Sequence, residues 1–341
     1  MAVITKPEKI NDEQSPLIKK HLDESQTENR YTLSYSLRTL WLLTYSDLDT
    51  FCIPQTSFGI FGALSGPILT SNTAPDLLVI LSRLPKAFLW VLLNTIVFDL
   101  ANQRLPESVK EDSVNKPWRP LAAGRLNTHS ATQLLLLATP LTFLATWFYL
   151  GGVEEATLLF TFTWMYNDLG GSDNNVAVRN ILIAGMYVLY SSGAMRVACG
   201  FHEFTLNPVA YQWLGIIAAV IFTTMHVQDL KDEAGDRTRG RKTLPIVVGH
   251  LGARWVIASL VTFWSAAAPM FWNLGIYGFI PSGILAILVA YRVLVLRGKK
   301  ADRRTWKLWS LWLTSLYFLP LFKDYSVFGR AVEKVAHFAE F

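Results

Sequence analysis

Nine apolar stretches, most of them long enough to cross a bilayer, dominate this 341-residue chain and limit what it can fold into. They fall near 47–69, 77–103, 131–150, 153–169, 177–198, 208–228, 252–273, 276–296 and 306–322. The fourth is short, and only "NLGIYG" separates the seventh from the eighth. Apolar residues make up 51% of the chain and charged residues 17%, with a mean hydropathy of +0.29. A surface that apolar does not suit water, so the expected fold is an all-α polytopic membrane protein of about nine transmembrane helices. No long polar linker interrupts the spans, which predicts one transmembrane domain over 36–325. Residues 1–35 read as a disordered cytosolic tail with little apolar surface to bury, and 326–341 as a C-terminal tail.

With nine spans, the N-terminus shares a side with the loops after spans two, four, six and eight. Three of those loops are rich in Lys and Arg: Arg104, Lys110, Lys116, Arg119 and Arg125; Lys231, Arg237, Arg239, Arg241 and Lys242; Arg297, Lys299, Lys300, Arg303 and Arg304. The opposite loops carry few, mainly Arg83, Lys86 and Arg196. By the positive-inside rule the rich side faces the cytosol. The net charge of +5 is therefore an orientation signal rather than a nucleic-acid footprint, and no groove-reading motif appears. No protein-partner motif is visible either. Cys52 and Cys199 lie in apolar segments and read as packing residues. Gly59, Gly62 and Gly66 recur at helical spacing in the first span, where small residues let helices approach closely.

Two charged corners stand out. In "HVQDLKDEAGDRTRGRKTLP", from His226, the acids Asp229, Asp232 and Asp236 are spaced i, i+3, i+7 and share one helical face. Three carboxylates there repel one another unless a cation lies between them, and oxygen ligands are what Mg²⁺ prefers. Lys231, Arg237, Arg241 and Lys242 alongside would hold phosphate oxygens. An ordinary membrane-exit loop would explain the basic residues but not the acid spacing. The other corner, "NTIVFDLANQRLPESVKEDSVNKPWRPLAAGRL", places Asp99, Asn102 and Gln103 one turn apart, then Glu111 and Asp112 before Asn115, Lys116 and Arg119. Spans two and six end on the same side, so both corners can meet over one cavity. Paired metal sites with basic clamps suit a diphosphate leaving group, whose charge grows as the C–O bond breaks. An apolar cavity below would take an isoprenoid chain and keep water from an allylic cation. Trp90, Phe98, Trp164, Tyr166, Tyr187 and Tyr190 offer aromatic faces to such a cation, although lipid-facing or core packing is the simpler reading of any single one.

At "EDSVNKPWRPLAAGR" and "DLKDEAGDRTRGRKTLP" the chain resembles the UbiA superfamily of intramembrane prenyltransferases, over roughly residues 40–325. The resemblance implies a nine-helix bundle around a central cavity, Mg²⁺ dependence and an allylic prenyl diphosphate as donor. It makes Asp112 the last acid of the first motif and Asp229, Asp232 and Asp236 the acids of the second. Lys116, Arg119, Arg237 and Lys242 then fall at positions that contact diphosphate. Two departures stand out. The first motif is split, with Asp99 and Gln103 on the helix and "RLPESVKE" inserted before Asp112, which leaves open which of Asp99, Asn102, Gln103 and Glu111 reaches metal. After span four, where many family transferases carry Tyr and a Lys-Arg pair, this chain has "YNDLGGSDNN" with Tyr166, Asn167, Asp168 and Asp173. Asp168 then reads either as a third polar wall or as the cap of a Gly-Gly turn.

Those departures resemble a fungal branch of the superfamily whose members are class I terpene cyclases. The branch implies ionisation of farnesyl diphosphate, closure of the cation on its own double bonds, and residence in the endoplasmic reticulum. The residues alone support ionisation of a prenyl diphosphate. Capture by the same chain and transfer to an aromatic, quinone or glycerol-phosphate acceptor both remain open. A transferase often needs a general base, for which His129, His202, His226 and His250 are the candidates; His226 reads more simply as a packed or capping histidine.

Overall fold

The computed structural model describes residues 32–200 and 202–323. The expected tails at 1–35 and 326–341 therefore lie outside the described residues, except that a helix already begins at Leu33. Two units are distinguished. The first, ending at Leu42, contributes the opening turns of helix α1, Leu33–Asp47. The described residues from Leu43 onward belong to the second, a helical bundle.

Its elements follow the apolar stretches. After a π-helical turn, Leu48–Cys52, come α2 (Ile53–Leu64), α3 (Leu77–Ser82), α4 (Leu84–Gln103), α5 (Pro106–Asn115), α6 (Thr128–Ala145) and α7 (Val153–Asn167). Then follow α8 (Val176–Cys199), α9 (Pro208–Thr224), α10 (Val227–Arg239), the short α11 (Leu244–Val248), α12 (His250–Phe271), α13 (Ile276–Val295) and α14 (Lys299–Tyr317). Among the described residues the only β-type pairing is the isolated bridge between Thr70 and Leu206.

All nine expected stretches are helical, but they are not equal as spans. Five segments are long and apolar enough to cross a membrane by themselves: Leu77–Gln103, Thr128–Leu150, Val176–Cys199, His250–Phe271 and Ile276–Val295. Counting the α9–α10 pair, bent by 49°, as one broken span gives six. The other expected spans fall short for visible reasons. α7 has 15 residues, about 22 Å of helix against a hydrocarbon core of about 30 Å. α14 spends its first half on Lys299, Lys300, Asp302, Arg303, Arg304 and Lys307.

Local chemistry fixes where helices start. Asn127, Asn175 and Asn207 each precede a helix and accept a bond from a first-turn amide: Ser130 N at 2.7 Å, Val178 N at 3.0 Å and Ala210 N at 3.1 Å. α8 is the hub, with 72% of its apolar window buried, and it packs against α2, α4, α7 and α9. Two glycines of the first-span stripe make this possible. A Cβ on Gly59 would stand 2.6 Å from the Ala194 carbonyl, and one on Gly62 would run into Met195, so α2 lies directly on α8. Cys52 and Cys199 are buried free thiols.

Candidate active site

The C-terminal end of α4 and the polar helix α10 approach one another through α5. Asn115, the last residue of α5, donates from Nδ2 to the Asp232 carbonyl at 2.8 Å and accepts at Oδ1 from the Gly235 amide at 3.2 Å. A Cβ on Gly235 would run into the Asn115 amide, so glycine is needed for this approach. One asparagine thus ties the two charged corners together by backbone contacts.

Between them lies a chamber with two unlike ends. Its charged end presents the carboxylates of Asp47, Asp99, Glu111, Asp229, Asp232 and Asp236 and the cations of Lys116, Arg119, Arg179 and Arg241. Asn102, Gln228 and Tyr166 complete that end. The other end is walled mainly by Phe51, Phe98, Ile183, Met186, Tyr187, Tyr190 and Met225. Phe51 meets Tyr187 and Tyr190 edge-on, with centroids at 4.8 and 4.7 Å.

Most of the acids are matched to cations, and two are left short. Arg179 donates from Nη2 to Asp229 Oδ1 at 2.9 Å and from Nη1 to Oδ2 at 3.4 Å. Lys231 contacts Asp232. Arg119 donates to both oxygens of Asp112, at 3.2 and 3.1 Å, and to Asp47 Oδ2 at 3.2 Å. It stands 3.7 Å from Asp99 Oδ1, beyond hydrogen-bond range. Asp99 Oδ2 and Asp236 Oδ2 are buried and have no partner. Asp236 Oδ1 receives only Arg241, at 3.4 Å. α10 carries seven charges and bends away from the apolar α9 by 49°. The Lys116 side chain lines the chamber with no bonded partner among the described residues.

The loop after α7 closes over this end. Arg239 forks onto Asp173, Nε to Oδ1 at 2.8 Å and Nη2 to Oδ2 at 2.9 Å, and also donates to Ser108 Oγ at 2.5 Å. Arg241 reaches the same Asp173 Oδ1 at 3.1 Å and Glu111 Oε1 at 2.9 Å. Although burial alone would raise it, the Asp173 carboxyl is held below the usual carboxylate range by Arg239 and then Arg241. These two arginines join helix α5 and the loop after α7 to the C-terminal end of α10.

Of the residues expected from sequence, Asp99, Asn102, Lys116, Arg119, Tyr166, Asp229, Asp232 and Asp236 are brought together here. Others stand elsewhere. Asp112 does not line the chamber, and both its oxygens accept from Arg119. Gln103 is buried and donates to the Leu43 carbonyl at 2.9 Å. Arg237 is exposed and bound to Glu233, and Lys242 is exposed. Lys231 is buried beside Asp232, 5.8 Å from the Trp306 ring. Asp168 pairs with Arg104 outside the lining, and Asn167 stands behind Asn102, accepting its amide at 2.9 Å. Trp164 is 54% exposed, away from the chamber. Sequence reasoning passed over Asp47, Arg179 and Gln228. Arg179 carried a usable signal, a lone cation in the apolar run "VAVRNILIAGMY".

Among the described residues, no group of three His, Cys, Asp or Glu side chains is placed to hold a metal ion on its own. The donor set nonetheless fits Mg²⁺, which needs only one or two carboxylates and takes its remaining ligands from water and phosphate. The unpartnered oxygens of Asp99 and Asp236, one from each corner, are such carboxylates.

A helical, membrane-embedded bundle around a chamber that is ionic at one end and aromatic at the other defines an intramembrane enzyme for a substrate with a charged head and an apolar tail. The UbiA prenyltransferase family profile matches residues 59–313, and the chain belongs to that family. It is 30% identical over 302 residues to the somaliensene A/B synthase of Streptomyces somaliensis, a match covering 84% of this chain and 95% of that protein. It is 27% identical over 293 residues to the fumagillin beta-trans-bergamotene synthase of Aspergillus fumigatus, covering 84% and 92%. A polyprenyl transferase of Hericium erinaceus is 26% identical over 280 residues, covering 80% and 90%. No solved structure matches the chain.

Proposed function

We propose that this protein ionises an allylic prenyl diphosphate, farnesyl diphosphate, within the membrane and cyclises it to a sesquiterpene. The observation that carries this is the pair of unpartnered buried carboxylate oxygens, Asp99 Oδ2 and Asp236 Oδ2, offered from opposite corners above an aromatic chamber. Lys116, Arg119, Arg179 and Arg241 bind the diphosphate oxygens, and Asp99, Asp229, Asp232 and Asp236 are the Mg²⁺ ligands. Bound Mg²⁺ supplies neutralisation of the charge that grows on the leaving group.

The C–O bond breaks with its electron pair passing to the diphosphate oxygen. An allylic cation is left beside Phe51, Phe98, Tyr187 and Tyr190, whose faces stabilise it. The chamber's apolar end excludes water, so a double bond of the same chain captures the cation. A proton then passes from the cyclised cation to the diphosphate, which leaves a neutral cyclic hydrocarbon, and the diphosphate is released.

The histidines that could serve a transferase as general base do not reach the chamber, which is one support for cyclisation. Among the described residues no histidine lines it. His226 is held by Asn180 at 3.1 Å and stands 3.5 Å from Asp229, while His129 and His202 are exposed and His250 faces Glu233 at 3.7 Å. The two synthases that match 84% of the chain support the same reading. Basic residues at the charged end, Lys116 and Arg241 among them, support a cytosolic mouth and N-terminus; the endoplasmic reticulum is the proposed membrane.

The test supplies membranes holding the protein with farnesyl diphosphate and Mg²⁺ and no acceptor. A volatile cyclic hydrocarbon, abolished by EDTA and restored by Mg²⁺, is expected. Farnesol alone, or no product until a phenol is added, would establish transfer instead. Indifference to chelation would defeat the metal assignment.

A further inference from the structure

Descending α8 from the charged end, the chamber is lined by Arg179, Ile183, Met186, Tyr187 and finally Tyr190. On α4 it is lined from Asn102 down to Thr95. Eleven residues separate Arg179 from Tyr190, a helical rise of about 16 Å. Three bonds of an extended chain cover at most about 3.6 Å, so each four-carbon step of an isoprenoid spans about 5 Å. Three isoprene units reach about 15 Å when extended, so below a diphosphate held at Arg179 a three-unit chain fits only when folded, as cyclisation requires, and a fourth unit presses on the level of Tyr190.

What lies beneath Tyr190 is an indole in a fitted slot. Trp90, five residues below Thr95 on α4, is fully buried and meets Tyr190 edge-on, with centroids 6.1 Å apart. On one side a Cβ at Gly193 would run into its ring, and on another a Cβ at Gly152 would stand 3.1 Å from Nε1. The two glycines make room for the largest side chain available. Yet Trp90 Nε1 has no acceptor. An indole placed as a polar anchor would have one, so this one is present for its bulk. Beside it the floor is held in place, because Ser191 donates to Gln55 Oε1 at 2.7 Å, one turn beyond Phe51.

We infer that Trp90, backing Tyr190 and seated against Gly193 and Gly152, is the floor that limits the chamber to a three-isoprene chain. Trp90 is thus a specificity-determining residue rather than one of the aromatic faces offered to the cation. The inference rests on the proposed use of a prenyl diphosphate, and its test separates the two.

Full-length protein in lipid nanodiscs is given geranyl, farnesyl or geranylgeranyl diphosphate, each with Mg²⁺. Diphosphate release and hydrocarbon products are both measured. Wild type is expected to favour the farnesyl substrate. Trp90→Leu should raise the ratio of geranylgeranyl to farnesyl kcat/KM by about tenfold or more, since pocket space for even one methylene is worth about that much. Tyr190→Leu opens the same floor from the chamber side and should move the ratio in the same direction, which keeps the test decisive if Trp90→Leu does not fold. Trp90→Phe, which keeps most of the bulk, should move it least. Folded variants that turn over with the wild-type ratio would overturn the floor and leave the proposed chemistry standing. A wild type that prefers geranylgeranyl diphosphate would also overturn it, and one that releases diphosphate from none of the three would overturn both.

Discussion

Arg179→Met strands Asp229. The two side chains are 5% and 1% exposed and are joined by contacts at 2.9 and 3.4 Å. Once the guanidinium is gone, the nearest charged or chargeable partner of Asp229 is His226, at 3.5 Å. Asp229 must then keep a buried unpaired charge or take up a proton. Breaking a buried pair from one side costs about 3–5 kcal/mol. At about 2 °C per kcal/mol for a domain of this size, the melting temperature falls by roughly 6–10 °C. Arg179→Met combined with Asp229→Leu removes both charges at similar volume, and such replacements are often neutral. The double variant should therefore melt within about 2 °C of wild type. It should nonetheless be inactive, because one cation and one carboxylate of the charged end are gone. Thermal melting in detergent micelles and diphosphate release read the two effects separately. A single variant that melts with wild type, or a double variant as unstable as the single, would refute the reasoning.

Asp99→Asn and Asp236→Asn each remove charge from an unpartnered oxygen, so turnover should fall at least about 100-fold while melting is little changed. Arg237→Ala and Lys242→Ala should leave turnover within about twofold, because both side chains are exposed outside the chamber, as is usual for neutral surface changes. Arg241→Ala, by contrast, should raise KM. Asp173 has a depressed folded-state pKa, so its stabilisation is present at neutral pH and is lost as pH falls below about 4 and on through the folded value. Melting curves of wild type and Asp173→Asn should accordingly differ at pH 7 and converge at the acid end.

Sequence reasoning reached the two corners because acid spacing on a helix is a local property. Asp229, Asp232 and Asp236 share a face whatever surrounds them, and all three line the chamber. Local reasoning does not show where side chains of one corner neutralise each other. Asp112 and Arg119 are seven residues apart, and their pairing turns Asp112 away from the chamber and into a support for the arginine. Arg237 and Arg241, four residues apart in one basic stretch, likewise diverge in space. Arg241 turns in to Glu111 and Asp236, while Arg237 stays on the outer face with Glu233.

The apolar periods, the helix-starting asparagines, the glycine stripe and the two acid-rich corners were determined by the chain itself, since each depends on neighbours within a turn or two. Which carboxylate is left without a partner was decided only by tertiary structure, as were the reach of Arg179 to Asp229 across 50 residues and the indole beneath Tyr190. The physical reason is that pairing and volume are properties of the space between helices. A sequence names the side chains that enter that space, and packing alone settles which of them meet.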